Sequence, residues 1–118
     1  MLFFTGKKTD LREFTPQELE AALAKGEVIL VDVREHAEHE AARIEGAVCY
    51  PLSTFDPDTL PEGDVVLHCG VGKRSAMAAE RCTKAGVKIA GHLAGGINAW
   101  AQAGMPVDVL PWNVTVFV

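Results

Sequence analysis

No apolar run in this 118-residue chain approaches the 18 or more residues that a membrane-crossing helix needs. The apolar start, Met1-Leu2-Phe3-Phe4, has no basic stretch ahead of it and no long hydrophobic segment behind it, so a secretory signal is not expected. Cysteine is scarce. Three residues, an odd number, do not make a disulfide framework and point to a reducing compartment. His36, His39 and His92 have no metal-ligand spacing with a cysteine pair, so no metal is assigned. Basic residues are outnumbered, 11 against 16 acidic, and the net charge of −5 argues against nucleic acid or an anionic membrane as a partner. There is no internal repeat and no low-complexity segment. What remains is one soluble, cytoplasmic domain, and with 48% hydrophobic residues it can fill an ordinary core.

Short apolar runs alternate with helical patterns, which is the signature of parallel strands joined by crossover helices. The fold class is α/β. Thr15-Pro16-Gln17-Glu18 combines a capping box with proline at the first helical position, and Leu19, Ala22 and Leu23 give that helix an apolar face up to Gly26. Residues 28–33 read as a buried strand, 35–43 as a short exposed helix, and Val48-Cys49-Tyr50 as a brief strand ended by Pro51. Residues 55–63 read as a loop or short helical turn dense in proline and aspartate, and 65–68 as the central strand. A helix over 75–85 is expected to bury Ala78, Ala79, Cys82 and Ala85, with Gly86 as its stop. Residues 87–90 read as a further strand and 96–103 as a last helix. In the tail, Trp112, Val114, Val116 and Val118 alternate with Asn113, Thr115 and Phe117, which suits an edge strand pairing with residues 2–5, or a homodimer contact.

The chemistry concentrates at Leu67-His68-Cys69-Gly70-Val71-Gly72-Lys73-Arg74-Ser75. A buried strand ends at a cysteine, and a glycine-rich basic loop leads into a helix. Gly70 and Gly72 permit a tight turn with amide N–H groups pointing inward, and the helix starting near Ser75 adds the positive end of its dipole. Lys73 and Arg74 add formal charge. A free thiol titrates at roughly 8.5, and in such surroundings it can fall to about 3.5–7.5, so Cys69 is expected to be ionised near neutrality. The competing reading of Cys69 is a small buried core residue, and for Cys49 and Cys82 that core reading is preferred. Lys73 and Arg74 are read as holding an anion at the mouth of the loop, against the alternative of solvated surface cations. His68 is read as structural, because side chains alternate along a strand and it should point away from Cys69. The Gly72-Lys73 pair is no nucleotide P-loop: Leu67 stands where the first glycine is required, and Arg74 where serine or threonine is.

Five pieces in order give the chain a likeness. They are Val31-Asp32-Val33-Arg34-Glu35, Ile44-Glu45-Gly46-Ala47 leading to Pro51-Leu52, Cys69 through Ser75, Leu93-Ala94-Gly95-Gly96-Ile97-Asn98-Ala99-Trp100, and Gly104-Met105-Pro106-Val107. Together they resemble the rhodanese-like single-domain sulfurtransferases. The resemblance covers about residues 14–107, leaving 1–13 as an extension or edge strand and 108–118 as a tail. It implies a mostly parallel sheet with helices on both faces, Asp32 and Arg34 as polar anchors rather than an acid/base pair, and Gly95, Gly96 and Trp100 as a tight turn with an aromatic anchor.

The resemblance also implies a reaction. Cys69, assisted by Arg74, would take sulfane sulfur from a small donor such as thiosulfate or a persulfide and pass it to a thiol or cyanide acceptor, with no external cofactor. Gly70, Val71, Gly72, Lys73 and Ser75 would bind the substrate. Gly70 stands where thiosulfate-preferring members often carry a larger, frequently basic residue, which makes thiosulfate a surrogate donor here. One alternative is a cysteine-dependent phosphatase or arsenate reductase, since the dual-specificity phosphatases share the fold. Those enzymes place five residues between cysteine and arginine, and here four stand between Cys69 and Arg74. The other alternative is a non-catalytic rhodanese-like binding module.

Overall fold

The computed structural model describes residues 11–110. The expected pairing of residues 2–5 with the alternating tail at 112–118 lies outside them. Five parallel strands form the central sheet: β1 (Glu13–Phe14), β2 (Ile29–Asp32), β4 (Val48–Cys49), β5 (Val65–His68) and β6 (Gly91–Leu93), in the order β1-β6-β5-β2-β4. A second, two-stranded antiparallel sheet pairs β3 (Ala42–Arg43) with β7 (Asp108–Val109). The helices are α1 (Pro16–Ala24), α2 (His36–Ala41), α3 (Lys73–Ala85) and α4 (Gly96–Gln102), with two 3-10 turns, Leu52–Thr54 and Pro57–Thr59.

The local signals at α1 act as the sequence predicts. Thr15 Oγ1 accepts from Glu18 N, and Glu18 Oε1 accepts from Thr15 N, each at 3.0 Å. The reciprocal cap thus satisfies two otherwise orphaned donors. Leu19 and Ala22 are buried.

Alternation along the strands sorts the core into two layers. On one face Val31, Val65, Leu67 and Cys69 meet Ala78, Ala79 and Cys82 of α3. On the other, Leu30, Val66 and Leu93 meet Leu19 of α1 and Ile97 and Trp100 of α4. Helices therefore cover both faces, and β5, the middle strand, carries Cys69 just past its carboxyl end. In open parallel sheets that end is where ligands bind.

Three local expectations are corrected. The strand expected over 87–90 forms instead at Gly91–Leu93. Val87 and Ile89 are only half-buried against the first core layer, whereas β6 pairs on both sides, with β5 and with β1. Ala42 and Arg43 leave the helix expected there and become β3, because β7 offers them a partner. Ala85, the last residue of α3, is exposed, and that helix begins two residues earlier than expected, at Lys73.

Candidate functional site

Backbone geometry builds the site at Cys69. Gly72, with φ of 105°, is the N-cap of α3 in the left-handed region, and this turns the loop back over the end of β5. As a result Gly72 N donates to Cys69 Sγ at 3.1 Å and Ser75 N donates to it at 3.3 Å. The sulfur is 1% exposed as part of a residue packed in the core. Burial on its own would push the thiol up. Hydrogen bonds from Ser75, by backbone and side chain, and from the backbone of Gly72 and Val71 outweigh it, so the Cys69 pKa falls below the ordinary value. The residue is packed in the core, and the thiol is shifted in the direction that a reactive cysteine needs.

The loop is held from behind by α4. Ile97 N donates to the Cys69 carbonyl at 2.8 Å and Asn98 N to the Gly70 carbonyl at 3.1 Å. Each peptide is planar and trans, so fixing those two carbonyls toward α4 turns the N–H groups of Gly70 and Val71 the other way. Gly96 makes the approach possible. Its φ is 64°, and a methyl group there would overlap the Cys69 carbonyl oxygen and the Gly70 carbonyl. The Gly95-Gly96 pair, read from the sequence as a turn into a helix, is thus also the support of the cysteine loop. Trp100 anchors the same helix, with Nε1 donating to the Pro106 carbonyl at 2.7 Å.

Of the other residues singled out in the loop, Val71 and Lys73 are exposed and Gly70 is half-buried. Arg74 is near Gly70, and its guanidinium is already paired. Its Nη1 and Nη2 donate to Glu38 Oε1 and Oε2 at 2.8 and 3.0 Å. Glu38 Oε1 also accepts from Glu35 N at 3.0 Å, which ties the pair to the start of α2. The Arg74 hydrogen bonds lower the Glu38 pKa, and Glu38 in turn raises that of Arg74. Glu38 was not found from the sequence, because the pair spans 36 positions with no local signature.

Asp32 and Arg34 form a buried bidentate pair, Nε to Oδ1 at 3.0 Å and Nη2 to Oδ2 at 2.8 Å, while Arg34 Nη2 also donates to the Ala42 carbonyl. The pair ties β2 to β3, a structural task. His68 faces this cluster and not the Cys69 thiol, with Nε2 3.7 Å from Asp32 Oδ2 and Nδ1 3.3 Å from the Cys69 carbonyl. Cys49 and Cys82 both have raised pKa values, chiefly from burial; Cys82 is packed in the core as expected, whereas Cys49 is only half-buried, its thiol donating to the Arg34 carbonyl at 3.6 Å.

Comparison with known proteins gives the chain that carries this buried, amide-cradled sulfur a family. Residues 15–103 match the family model for the rhodanese-like domain. The chain belongs to that family. It is 33% identical over 101 residues to a sulfurtransferase of Allochromatium vinosum, covering 82% of this chain and 94% of that protein. It is 40% identical over 102 residues to the probable adenylyltransferase/sulfurtransferase MoeZ of Mycobacterium tuberculosis, covering 81% of this chain and 26% of MoeZ. Among the curated relatives matched at 40% identity, the chain spans from 26% to 52% of their length. A solved rhodanese-related protein of Thermoplasma volcanium superposes with a TM-score of 0.74 at 26% identity, covering 84% of this chain and 99% of that one. Among the described residues, no helix of this rhodanese-like protein is long and apolar enough to cross a membrane.

Proposed function

We propose that this rhodanese-like protein is a sulfurtransferase that carries sulfane sulfur as a persulfide on Cys69. The observation that carries the reading is the pair of backbone donors on Cys69 Sγ, from Gly72 and Ser75, on a thiol whose pKa is lowered despite burial. The thiolate attacks the outer sulfur of a donor. A new S–S bond forms on Cys69, the donor's own bond to that sulfur breaks, and the leaving group departs with its electron pair, as sulfite from thiosulfate or as a thiolate from a persulfide. An acceptor thiolate or cyanide then attacks the outer sulfur, and Cys69 returns as thiolate. This is covalent, two-step transfer. Fixed amide donors stabilise negative charge on sulfur without reorganisation at the moment of reaction.

The donor class follows from charge. Arg74 is already neutralised by Glu38, which leaves Lys73 as the loop's uncompensated cation and sets a carboxylate beside the entrance. The extra attraction for a dianion such as thiosulfate over a persulfide of lower charge is therefore smaller than two free cations would give, and a thiol is the natural acceptor.

Intact-protein mass spectrometry tests the reading. The wild-type chain should gain one sulfur mass on exposure to a persulfide donor, more slowly with thiosulfate, and should lose it to cyanide or a thiol. Cys69→Ser is nearly isosteric, should melt within a few degrees of wild type and should not load at all. Loading on Cys49 or Cys82 in a folded Cys69→Ser variant, or turnover of aryl phosphate at Cys69 faster than any sulfur transfer, would overturn the proposal.

A further inference from the structure

The hydrogen bonds at Cys69 do not stop at the loop. Cys69 Sγ lies 3.7 Å from Ser75 Oγ, within reach for sulfur. Ser75 Oγ lies 2.7 Å from His92 Nδ1, and His92 Nε2 lies 3.3 Å from Glu13 Oε2. Cys69, Ser75 and His92 are all buried, while the Glu13 side chain is 65% exposed. A continuous line of proton-carrying atoms therefore runs from the enclosed thiol to solvent. Strand register produces it: His92 on β6 sits opposite Leu67 of β5 on one side and Glu13 of β1 on the other. It shares a face with Leu67 and Cys69, and α3 lays Ser75 across that face.

The Ser75 hydroxyl has a single proton and three neighbours able to accept it: Cys69 Sγ, His92 Nδ1 and the Gly72 carbonyl at 3.2 Å. Two arrangements satisfy the line from end to end. In the first, Sγ–H donates to Oγ, Oγ–H donates to Nδ1, and Nε2–H donates to the Glu13 carboxylate. In the second, the Sγ–H bond is broken and the serine holds that proton, its own former proton is now on Nδ1, and the bonds reverse so that Nδ1–H donates to Oγ and Oγ–H to the thiolate. One proton has moved from sulfur to imidazole, with no change in net charge. Nε2–H donates to Glu13 in both.

The geometry points to Ser75, His92 and Glu13 as a proton relay for Cys69, in which His92 takes the thiol proton through the Ser75 hydroxyl and Glu13 holds the imidazolium that results. The inference rests on Cys69 being the nucleophile of the proposed function. His92 and Glu13 act through Ser75 and are positioning residues. Among the described residues, the titratable groups facing His92 are Glu13 from β1 and Cys69 at the end of β5. On α3, Lys73, Glu80, Arg81 and Lys84 are exposed, Arg74 is turned to Glu38, and Cys82 is packed in the core. Arg12, next to Glu13, stands over the Phe14 ring at 4.0 Å.

The test is the rate of Cys69 alkylation by iodoacetamide as a function of pH, with the adduct located by peptide mapping. No sulfur donor is involved. In His92→Asn a side-chain N–H can still face Ser75, but the side chain cannot take a proton, so the alkylation midpoint should move to higher pH by about one unit, a tenfold loss of rate at neutral pH. Glu13→Gln changes an exposed group and should fold normally. Its midpoint should move the same way, by about twofold in rate at low salt, and less at high salt. Ser75→Thr keeps the hydroxyl and should keep the wild-type profile, whereas Ser75→Ala should lose it. Should His92→Asn fail to fold, Glu13→Gln and the Ser75 pair decide. An unchanged midpoint in Glu13→Gln at low salt, or in a folded His92→Asn, overturns the relay. A wild-type chain that never loads sulfur while these shifts are present would instead overturn the sulfurtransferase reading and leave the relay standing.

Discussion

At Cys69 two influences of opposite sign act on one sulfur, and the outcome is set by donors that belong almost entirely to the backbone. Because Gly72, Ser75 and Val71 supply them from one short segment, this part of the site is legible in the sequence: a cysteine at a strand end followed by a Gly-x-Gly turn into a helix has few other uses. Glu38 is the opposite case. It reaches Arg74 only because the chain folds, and it changes what Arg74 does. Replacing it makes a specific prediction. Glu38→Gln keeps the carbonyl oxygen that accepts from Glu35 N, so the start of α2 should survive, while Arg74 regains its uncompensated charge. Thiosulfate use, measured as kcat/KM, should rise by up to about fivefold, the equivalent of the ~1 kcal/mol that a partly exposed pair carries. The gain should shrink with added salt. A persulfide donor of lower charge should benefit less, and an equal gain for both donors, or none for thiosulfate, would show that Arg74 plays no part in attracting the donor.

The elements that position the site differ in how visible they are before folding. α1 announces itself with a cap and a proline, and β5 with four consecutive apolar or buried residues. By contrast β6 carries Gly91, His92 and Leu93, a weak strand pattern, and it forms because it lies between β5 and β1, each of which offers it partners. The apolar alternation at Val87 and Ile89 was the stronger local signal and lost to that tertiary pairing. The same cause hides the relay, since Ser75, His92 and Glu13 are assembled by strand register across 79 positions. α4 is intermediate: its turn is readable, but its grip on the Cys69 and Gly70 carbonyls is not. Gly96→Ala tests that grip. Alanine at this left-handed position would overlap two loop carbonyls, so α4 must retreat, at a cost of about 1–3 kcal/mol. Thermal melting should show the loss, and Cys69 alkylation at neutral pH should slow as its amides lose their orientation. An unaltered alkylation rate in a destabilised Gly96→Ala variant would separate the packing role of α4 from any role in aiming the amides.

For the whole molecule the consequential feature is that the sheet carries ionisable groups on both faces of its carboxyl edge: Cys69 and His92 toward α3, Asp32 and His68 toward the opposite layer. The second pair sets the response of the fold to acid. Burial holds the His68 imidazole below its ordinary value, against the pull of nearby Asp32. For Asp32, burial would raise the carboxyl, but hydrogen bonds from Arg34, the proximity of His68 and the His39 hydrogen bond together bring it below its ordinary value. Both groups are therefore depressed in the folded state, so the unfolded chain binds more protons as pH falls, and stability is lost in that direction. The windows differ. His68 contributes fully above about pH 6.5, and its share is lost as pH falls from there toward its lower folded value. Asp32 contributes fully above about pH 4, and its share is lost only below that. The melting temperature, followed by circular dichroism at constant ionic strength, should decline in two stages, one starting near pH 6.5 and a steeper one below about pH 4. His68→Gln should lower the melting temperature at neutral pH, since the side chain is fully buried, yet flatten the first stage and spare the second. If the decline between about pH 6.5 and 4.5 keeps its slope in His68→Gln, the buried imidazole is not what couples this fold to acid, and the Asp32 cluster alone must account for the response.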